Sequence, residues 1–256
     1  MEVKNRLLNF KDMYIYQNDE WFNFSMDSVL LANFVSINLS DKKIIDFCTG
    51  NAPIPMLLSY KTKANIIGVE LQEEIYKLAI KSVYENSLDN RINIINEDVK
   101  NLKNVFEFES FDVVTCNPPF FKTKNILLQN KNLIKNKARH ETTISLEDVV
   151  KNASYLLKNG KRFAMVHRPD RFVEIMDLLR KYNFEPKRVK LCYPKKGRDA
   201  NVLLIESIKN GKPGLFFEEP LYVHNDDGSY TLEVKKMFEE WEVCGKIVMI
   251  IVQLCI

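Results

Sequence analysis

From residue 43 onward, short β-rich runs alternate with segments of helical spacing, and this rhythm constrains the chain more than any other feature. Such alternation predicts parallel strands joined by crossover helices, an α/β architecture. Lys43–Cys48 (KIIDFC) is the first run. It leads into the turn Thr49-Gly50-Asn51-Ala52 and an apolar stretch opening on Pro53, a residue suited to the first turn of a helix. Asn65–Glu70 (NIIGVE) reads as a second buried strand, after which Ile75, Leu78, Ala79, Ser82 and Val83 recur on one helical face. Arg91–Asn96 and Phe111–Cys116 supply strands three and four. Leu146–Leu157 reads as a helix, Lys161–His167 as strand five, and Pro169–Tyr182 as a helix with proline in its first turn. Lys187–Tyr193 and Asn201–Ile208 are parted only by Pro194–Ala200, which fits an antiparallel hairpin at the sheet edge. The expected fold is a mostly parallel seven-stranded sheet with that hairpin at its edge.

A chain of 256 residues accommodates one such domain with appendages. The expected divisions are an N-terminal segment over 1–40, the α/β domain over 41–210 and a C-terminal part over 211–256. In the last, Leu221–Val223 and Tyr230–Val234 flank Asp226-Asp227-Gly228-Ser229 and read as a small hairpin. The apolar run near residues 247–256 is shorter than the roughly 20 residues that cross a bilayer. With 46% hydrophobic and 28% charged residues, the composition excludes extended disorder and fibrous repeats. Met1–Phe10 carries charges and no leader-like apolar run, and the five cysteines form no Cys-x-x-Cys pair. A soluble, cytoplasmic protein without disulfides is expected. His140, His167 and His224 are too scattered to suggest a metal, and none is expected.

Two constellations carry chemistry. Asp46-Phe47-Cys48-Thr49-Gly50-Asn51-Ala52 closes strand one, and Glu70 closes strand two. In open α/β sheets ligands sit at the carboxyl ends of strands, where a glycine turn lets backbone approach and an acid can bind ribose hydroxyls. Only Gly50 survives of the glycines such a loop would carry, so taken alone the segment fits an ordinary strand-to-helix turn equally well. The second constellation, Asn117-Pro118-Pro119-Phe120, directly follows the buried strand FDVVTC. Its prolines remove two backbone donors and stiffen the turn. An amino group conjugated to a base or carbonyl is a poor nucleophile, and acceptors must draw its hydrogens out of plane. The Asn117 side-chain oxygen and the Pro118 carbonyl can accept them, while Phe120 offers a face on which an extruded base can stack.

With these residues in order, the chain resembles the Rossmann-like, S-adenosylmethionine-dependent amino methyltransferases of class I. Phe24–Ala32, Gly68–Gln72, Ala138–Glu141, His167–Arg171, Pro220-Leu221 and Asp227–Thr231 extend the resemblance to the bacterial valine-tRNA adenine-37 N(6)-methyltransferase group, over about residues 10–236. The resemblance implies S-adenosylmethionine as cofactor. It places Asp46, Thr49 and Gly50 at the methionine part, Glu70 and Leu71 at the ribose, and Asp98 and Val99 at the adenine. Asp27 and Ser28 would close over the cofactor from the N-terminal segment, and Asn117 would face cofactor and acceptor together. Cys48 and Ala52 depart from the glycine pattern, which implies weakened cofactor binding.

The net charge of +3 says little about partners, but its distribution does. Val113–His140 contains no acid and holds Lys122, Lys124, Lys131, Lys135, Lys137 and Arg139. Pro186–Arg198, also acid-free, holds Lys187, Arg188, Lys190, Lys195, Lys196 and Arg198. Both windows fall on the expected active-site side, and tRNA is the expected partner. The long stretch 121–140 lacks helical or strand periodicity and reads as a substrate-binding loop. Two rival readings use the same residues: a protein glutamine N(5)-methyltransferase, and an RNA-binding module of this fold without catalysis.

Overall fold

The computed structural model describes residues 1–7, 13–18, 25–119 and 144–237. Elements follow in the order β1 (Glu2–Arg6), β2 (Tyr14–Asn18), α1 (Met26–Phe34), β3 (Lys43–Phe47), α2 (Pro53–Lys61), β4 (Asn65–Glu70), α3 (Glu73–Glu85), β5 (Ile92–Asn96), a 3-10 turn (Val99–Asn104) and β6 (Phe111–Cys116). After them come α4 (Leu146–Leu156), β7 (Leu157–His167), α5 (Phe172–Lys181), β8 (Phe184–Lys195), β9 (Val202–Lys209), β10 (Phe216–Phe217) and β11 (Leu221–His224).

The main sheet runs β10-β8-β9-β7-β6-β3-β4-β5, with β11 also paired to β8. Strands β3 to β7 are parallel neighbours, and the central ones, β3, β4 and β6, read as largely apolar runs because both faces of the sheet are covered there. One buried cluster, containing Ile44, Ile66 and Val113, lies under α1, α2 and α3; a second, containing Phe47, Val114 and Phe163, lies under α4 and α5. From β3 the chain winds outward through β4 and β5 and then returns to β6 on the other side. The carboxyl ends of β3 and β6 therefore flank the switch point where such sheets bind ligands.

The expected hairpin is β8 and β9, antiparallel to each other, with β9 also antiparallel to β7. Outside it, β10 and β11 pair parallel with β8 and extend the edge. The turn after β11 returns the chain for one antiparallel bridge, His224 to Tyr230, and residues 232–237 then coil into a helix where a second strand was expected. Thr231 explains the change: its carbonyl and hydroxyl accept from Lys235 and Val234, capping a helix that buries Val234. Pro169 opens a 3-10 turn, Pro169–Arg171, rather than α5 itself.

Residues 1–7 and 13–18 contribute an antiparallel hairpin, β1–β2, that the sequence reading did not separate from its surroundings. It rests on α3: Tyr14 N donates to Asn86 Oδ1 at 2.9 Å and Tyr16 N to Ser82 Oγ at 2.9 Å. Asn51 Nδ2 donates to the Tyr16 carbonyl at 3.0 Å, so the hairpin also holds the turn after β3. Stretch 121–140 and the C-terminal apolar run lie outside the described residues.

Candidate active site

Asp46, on the last turn of register in β3, pairs with Gly68 of β4 on one side and Thr115 of β6 on the other. Its carboxylate is fully buried, and each oxygen accepts one hydroxyl: Thr115 Oγ1 donates to Oδ1 and Thr49 Oγ1 to Oδ2, both at 2.6 Å. Burial raises its pKa from 3.8 to about 7, against the two hydroxyl bonds that favour the ionised form. Gly68 makes room for this arrangement. A Cβ there would stand 2.9 Å from Thr49 Oγ1 and 2.7 Å from Ile94 Cδ1.

Beyond β3 the turn adopts left-handed backbone three times, at Cys48 (φ 54°), Gly50 (φ 59°) and Ala52 (φ 70°). Glycine is the residue that takes this conformation without strain. Cys48 and Ala52 take it nonetheless, so the loop keeps a glycine-loop path with two side chains on it. Thr49 N donates to the Val69 carbonyl at 2.9 Å, and Gly50 N to Glu70 Oε2 at 3.0 Å. Glu70 is itself buried, accepts from Gln72 N at 2.9 Å, and is raised in pKa by burial. A Cβ at Gly50 would meet no atom within 4 Å, so the space above the turn is open. Asn96 Nδ2 donates to the carbonyls of Glu70 and of Leu71, whose side chain is exposed. Asp98 caps the 3-10 turn through Lys100 N at 2.9 Å, and Val99 behind it is buried.

At the end of β6, Asn117 leaves the sheet with Pro118 and Pro119 buried behind it. Its Nδ2 donates to Ser28 Oγ of α1 at 3.1 Å. Burial raises the Asp27 carboxyl, and the charge of Arg168 opposes that rise. Two buried carboxyl groups thus bracket an open glycine turn, Asp46 one strand and Glu70 two strands away from the Asn117 carboxamide.

Residues 24–182 match the model of the methyltransferase small domain family. The chain belongs to that family. S-adenosylmethionine is the cofactor of this methyltransferase, and the site's donor set fits it: buried acids at a cationic, ribose-bearing ligand, and a turn without a side chain at Gly50. The tRNA1(Val) (adenine(37)-N6)-methyltransferase of Bacteroides fragilis (strain YCH46) is 24% identical over 196 residues, 77% of this chain and 81% of that one. The protein of the same description from Histophilus somni (strain 129Pt) is 26% identical over 242 residues, 93% and 98% of the two chains. Among solved structures, a predicted O-methyltransferase from Agrobacterium tumefaciens superposes with a TM-score of 0.67 at 23% identity, covering 84% of this chain and 96% of that one. The geranyl diphosphate C-methyltransferase of Streptomyces coelicolor A3(2), in complex with S-adenosyl-L-homocysteine, gives 0.53 at 10% identity, covering 72% and 80%. These structural likenesses concern the fold.

Several further residues shape this candidate site. Thr115 and Gly68 act on Asp46 and Thr49 across strand pairs, and Asn96 ties down the Leu71 backbone. His167, at the end of β7, is buried, accepts from Arg168 N at Nδ1 (2.8 Å), and is lowered by burial to about 4, so it is neutral at pH 7. Burial pushes the Cys116 thiol well above its ordinary value, and the adjoining Cys48 adds to the rise. Among the described residues no His, Cys, Asp and Glu group could hold a metal, and no helix is long and apolar enough to cross a membrane.

The second basic window divides in two. Arg188 pairs with Glu206 (3.0 Å) and Glu218, and Lys190 with Glu233 (2.9 Å), so their charges are balanced by acids of the chain itself. Lys195, Lys196 and Arg198 lie at the β8–β9 turn. Because Leu203 of β9 faces His167, this turn is at the same end of the sheet as Asn117. Lys196 and Arg198 are exposed, with Asp199 beside them. Phe120, Lys122, Lys124, Lys131, Lys135, Lys137 and Arg139 lie outside the described residues.

Proposed function

We propose that this methyltransferase places a methyl group on N(6) of an adenine in tRNA, with position 37 of valine tRNA as the target. The observation that carries the reading is the position of Asn117-Pro118-Pro119 at the end of β6, one strand from the turn formed by Asp46, Thr49 and Gly50. Curated relatives covering most of the chain bear this activity in their names.

In this reading Asp46 and Thr49 shape the turn that holds the methionine part of the cofactor, Glu70 binds its ribose hydroxyls, and Asp98 with Val99 holds its adenine. The bound cofactor supplies an electrophilic sulfonium methyl. Asn117 Oδ1 and the Pro118 carbonyl accept the two hydrogens of the acceptor amine, which frees its lone pair to form the N–C bond. The transfer would balance with the C–S electron pair kept by the departing thioether and one proton lost from the nitrogen to solvent. Holding the reactants in attack geometry supplies on the order of 7–11 kcal/mol, so no general base is needed beside Asn117. Phe120 stacks on the extruded base, and the basic residues of 122–139 and of the β8–β9 turn meet RNA phosphates.

The test is nucleoside mass mapping of tRNA incubated with purified protein and S-adenosylmethionine. N(6)-methyladenine at position 37, lost in Asn117→Ala, is the expected result. Methylation of a protein glutamine amide with none on tRNA would overturn it, as would full turnover by Asn117→Ala.

A further inference from the structure

A carboxamide can turn half a revolution about its last bond and exchange oxygen for nitrogen at little steric cost. For Asn117 the two orientations are not equivalent. One offers an acceptor to an incoming amine; the other points N–H donors at a group that has only hydrogens to give. The residues following Asn117 cannot hold the side chain in place, since neither Pro118 nor Pro119 has a backbone N–H to brace it. Among the described residues, the hydrogen bond that its side chain makes comes from another element altogether: Nδ2 to Ser28 Oγ, 3.1 Å, across 89 residues of sequence.

Ser28 is a firm anchor. It is 3% exposed and sits on α1, whose Val29, Leu30, Leu31 and Ala32 are all buried in the core. In this arrangement the Ser28 hydroxyl accepts an Nδ2 hydrogen and leaves Oδ1 for the acceptor amine; because a hydroxyl can also donate to Oδ1, what the bond fixes is the place and tilt of the carboxamide. We propose that Ser28 is a positioning residue for Asn117, fixing the place and tilt of its carboxamide beside the substrate amine, and that it acts on the acceptor side of the site rather than on the cofactor. The inference rests on the amine-methylating reading above and adds what orients the carboxamide that reading depends on.

The experiment measures methyl transfer from tritiated S-adenosylmethionine to an unmodified valine tRNA transcript, with cofactor affinity by calorimetry and thermal unfolding alongside. Ser28→Ala is expected to lower kcat about 10- to 100-fold, the scale on which small misplacement of reacting groups is felt. The KM for tRNA, the Kd for cofactor and the unfolding temperature should stay near parental values, and Ser28→Thr, which keeps the hydroxyl, should recover most of the turnover. Ser28→Val against Ser28→Thr gives the same comparison between near-isosteric side chains if the alanine variant folds poorly. Turnover of Ser28→Ala within twofold of the parent, while Asn117→Ala is inactive, would overturn the role of Ser28 and leave the proposed function standing. A loss confined to cofactor affinity would also overturn it. Full activity of Asn117→Ala would instead remove the reading on which the inference is built.

Discussion

Thr115 Oγ1 donates to Asp46 Oδ1 at 2.6 Å, and this bond joins the two strands whose carboxyl ends carry the Thr49-Gly50 turn and the Asn117 motif. Both residues are fully buried. Thr115→Val keeps the shape and leaves one carboxylate oxygen without its donor, a loss worth about 1–3 kcal/mol for a buried polar group. Urea unfolding should report a destabilisation of that size, and calorimetry a weaker S-adenosylmethionine complex. Thr115→Ser should lie close to the parent in both. Unchanged cofactor affinity in Thr115→Val would show that the bond serves stability alone.

Asp46 also makes the cofactor-free protein sensitive to pH. Its pKa is about 7 in the folded chain against an ordinary 3.8, so between about 4 and 7 the unfolded chain has released a proton that the folded chain keeps. Folding takes up that proton, and the stability contributed by Asp46 is lost as pH rises through about 7. His167 works oppositely between about 4 and 6.5, being neutral when folded, so the useful comparison is between Asp46→Asn and the parent at each pH. The variant should gain on the parent from pH 5 to pH 8 in urea midpoint. Parental affinity for the cationic cofactor should increase over the same range as Asp46 ionises, and Asp46→Asn should lack that increase.

Gly68→Ala tests the packing under the turn. The added methyl meets Ile94 Cδ1, which can rotate away, and Thr49 Oγ1, which is held by Asp46. Displacing Thr49 disturbs the turn as well as the core, and overpacking of this kind costs about 1–3 kcal/mol. Cofactor Kd should rise at least tenfold. A Kd within twofold of the parent would mean that Thr49 does not shape the cofactor site.

The Cys48 and Ala52 substitutions look from the sequence like erosion of a glycine loop, yet both residues hold left-handed backbone. The strain of that conformation is on the order of 1–2 kcal/mol per non-glycine residue. Cys48→Gly and Ala52→Gly relieve it while loosening the unfolded chain, so their stabilities should lie within about 1 kcal/mol of the parent. Their cofactor Kd values should shift less than about threefold, because the turn already follows the path that glycines would take. A gain of tenfold or more in either variant would show that the side chains obstruct the ligand.

What the sequence made legible was local. Parallel strands buried in the sheet are rich in Ile, Val and Phe, so β3 to β7 could be placed, and Asn117-Pro118-Pro119 announces itself within a few letters. The bonds of Thr115 to Asp46 and of Asn117 to Ser28 span 69 and 89 residues and depend on strand order and on where α1 lands. No periodicity encodes them. Left-handed backbone at Cys48 and Ala52 is likewise a property of the folded turn and not of residue type. The charge of Pro186–Arg198 was overcounted for a related reason: Glu206, Glu218 and Glu233, which neutralise Arg188 and Lys190, come from other parts of the chain.

That division of charge separates two sets of variants by effect. Lys195, Lys196 and Arg198 lie at the Asn117 end of the sheet, whereas Arg188 bridges Ser36, Glu206 and Glu218 within the edge. If the turn meets tRNA phosphates, replacing its three cations with alanine removes up to three counterion-releasing contacts. The slope of log affinity against log salt should fall by roughly 2, at about 0.7–0.9 per contact. The KM for tRNA should rise severalfold at 150 mM salt with kcat and cofactor affinity unchanged. Arg188→Ala leaves Glu206, 4% exposed in its side chain, without that partner. Glu206 keeps its bonds from Ser36 N and Oγ, so the loss should destabilise the fold by about 1–3 kcal/mol, without changing the salt slope of the folded fraction. Filter binding across a salt series, run beside thermal unfolding on both variants, distinguishes them. An unaltered slope in the triple variant would place the phosphates elsewhere on the molecule.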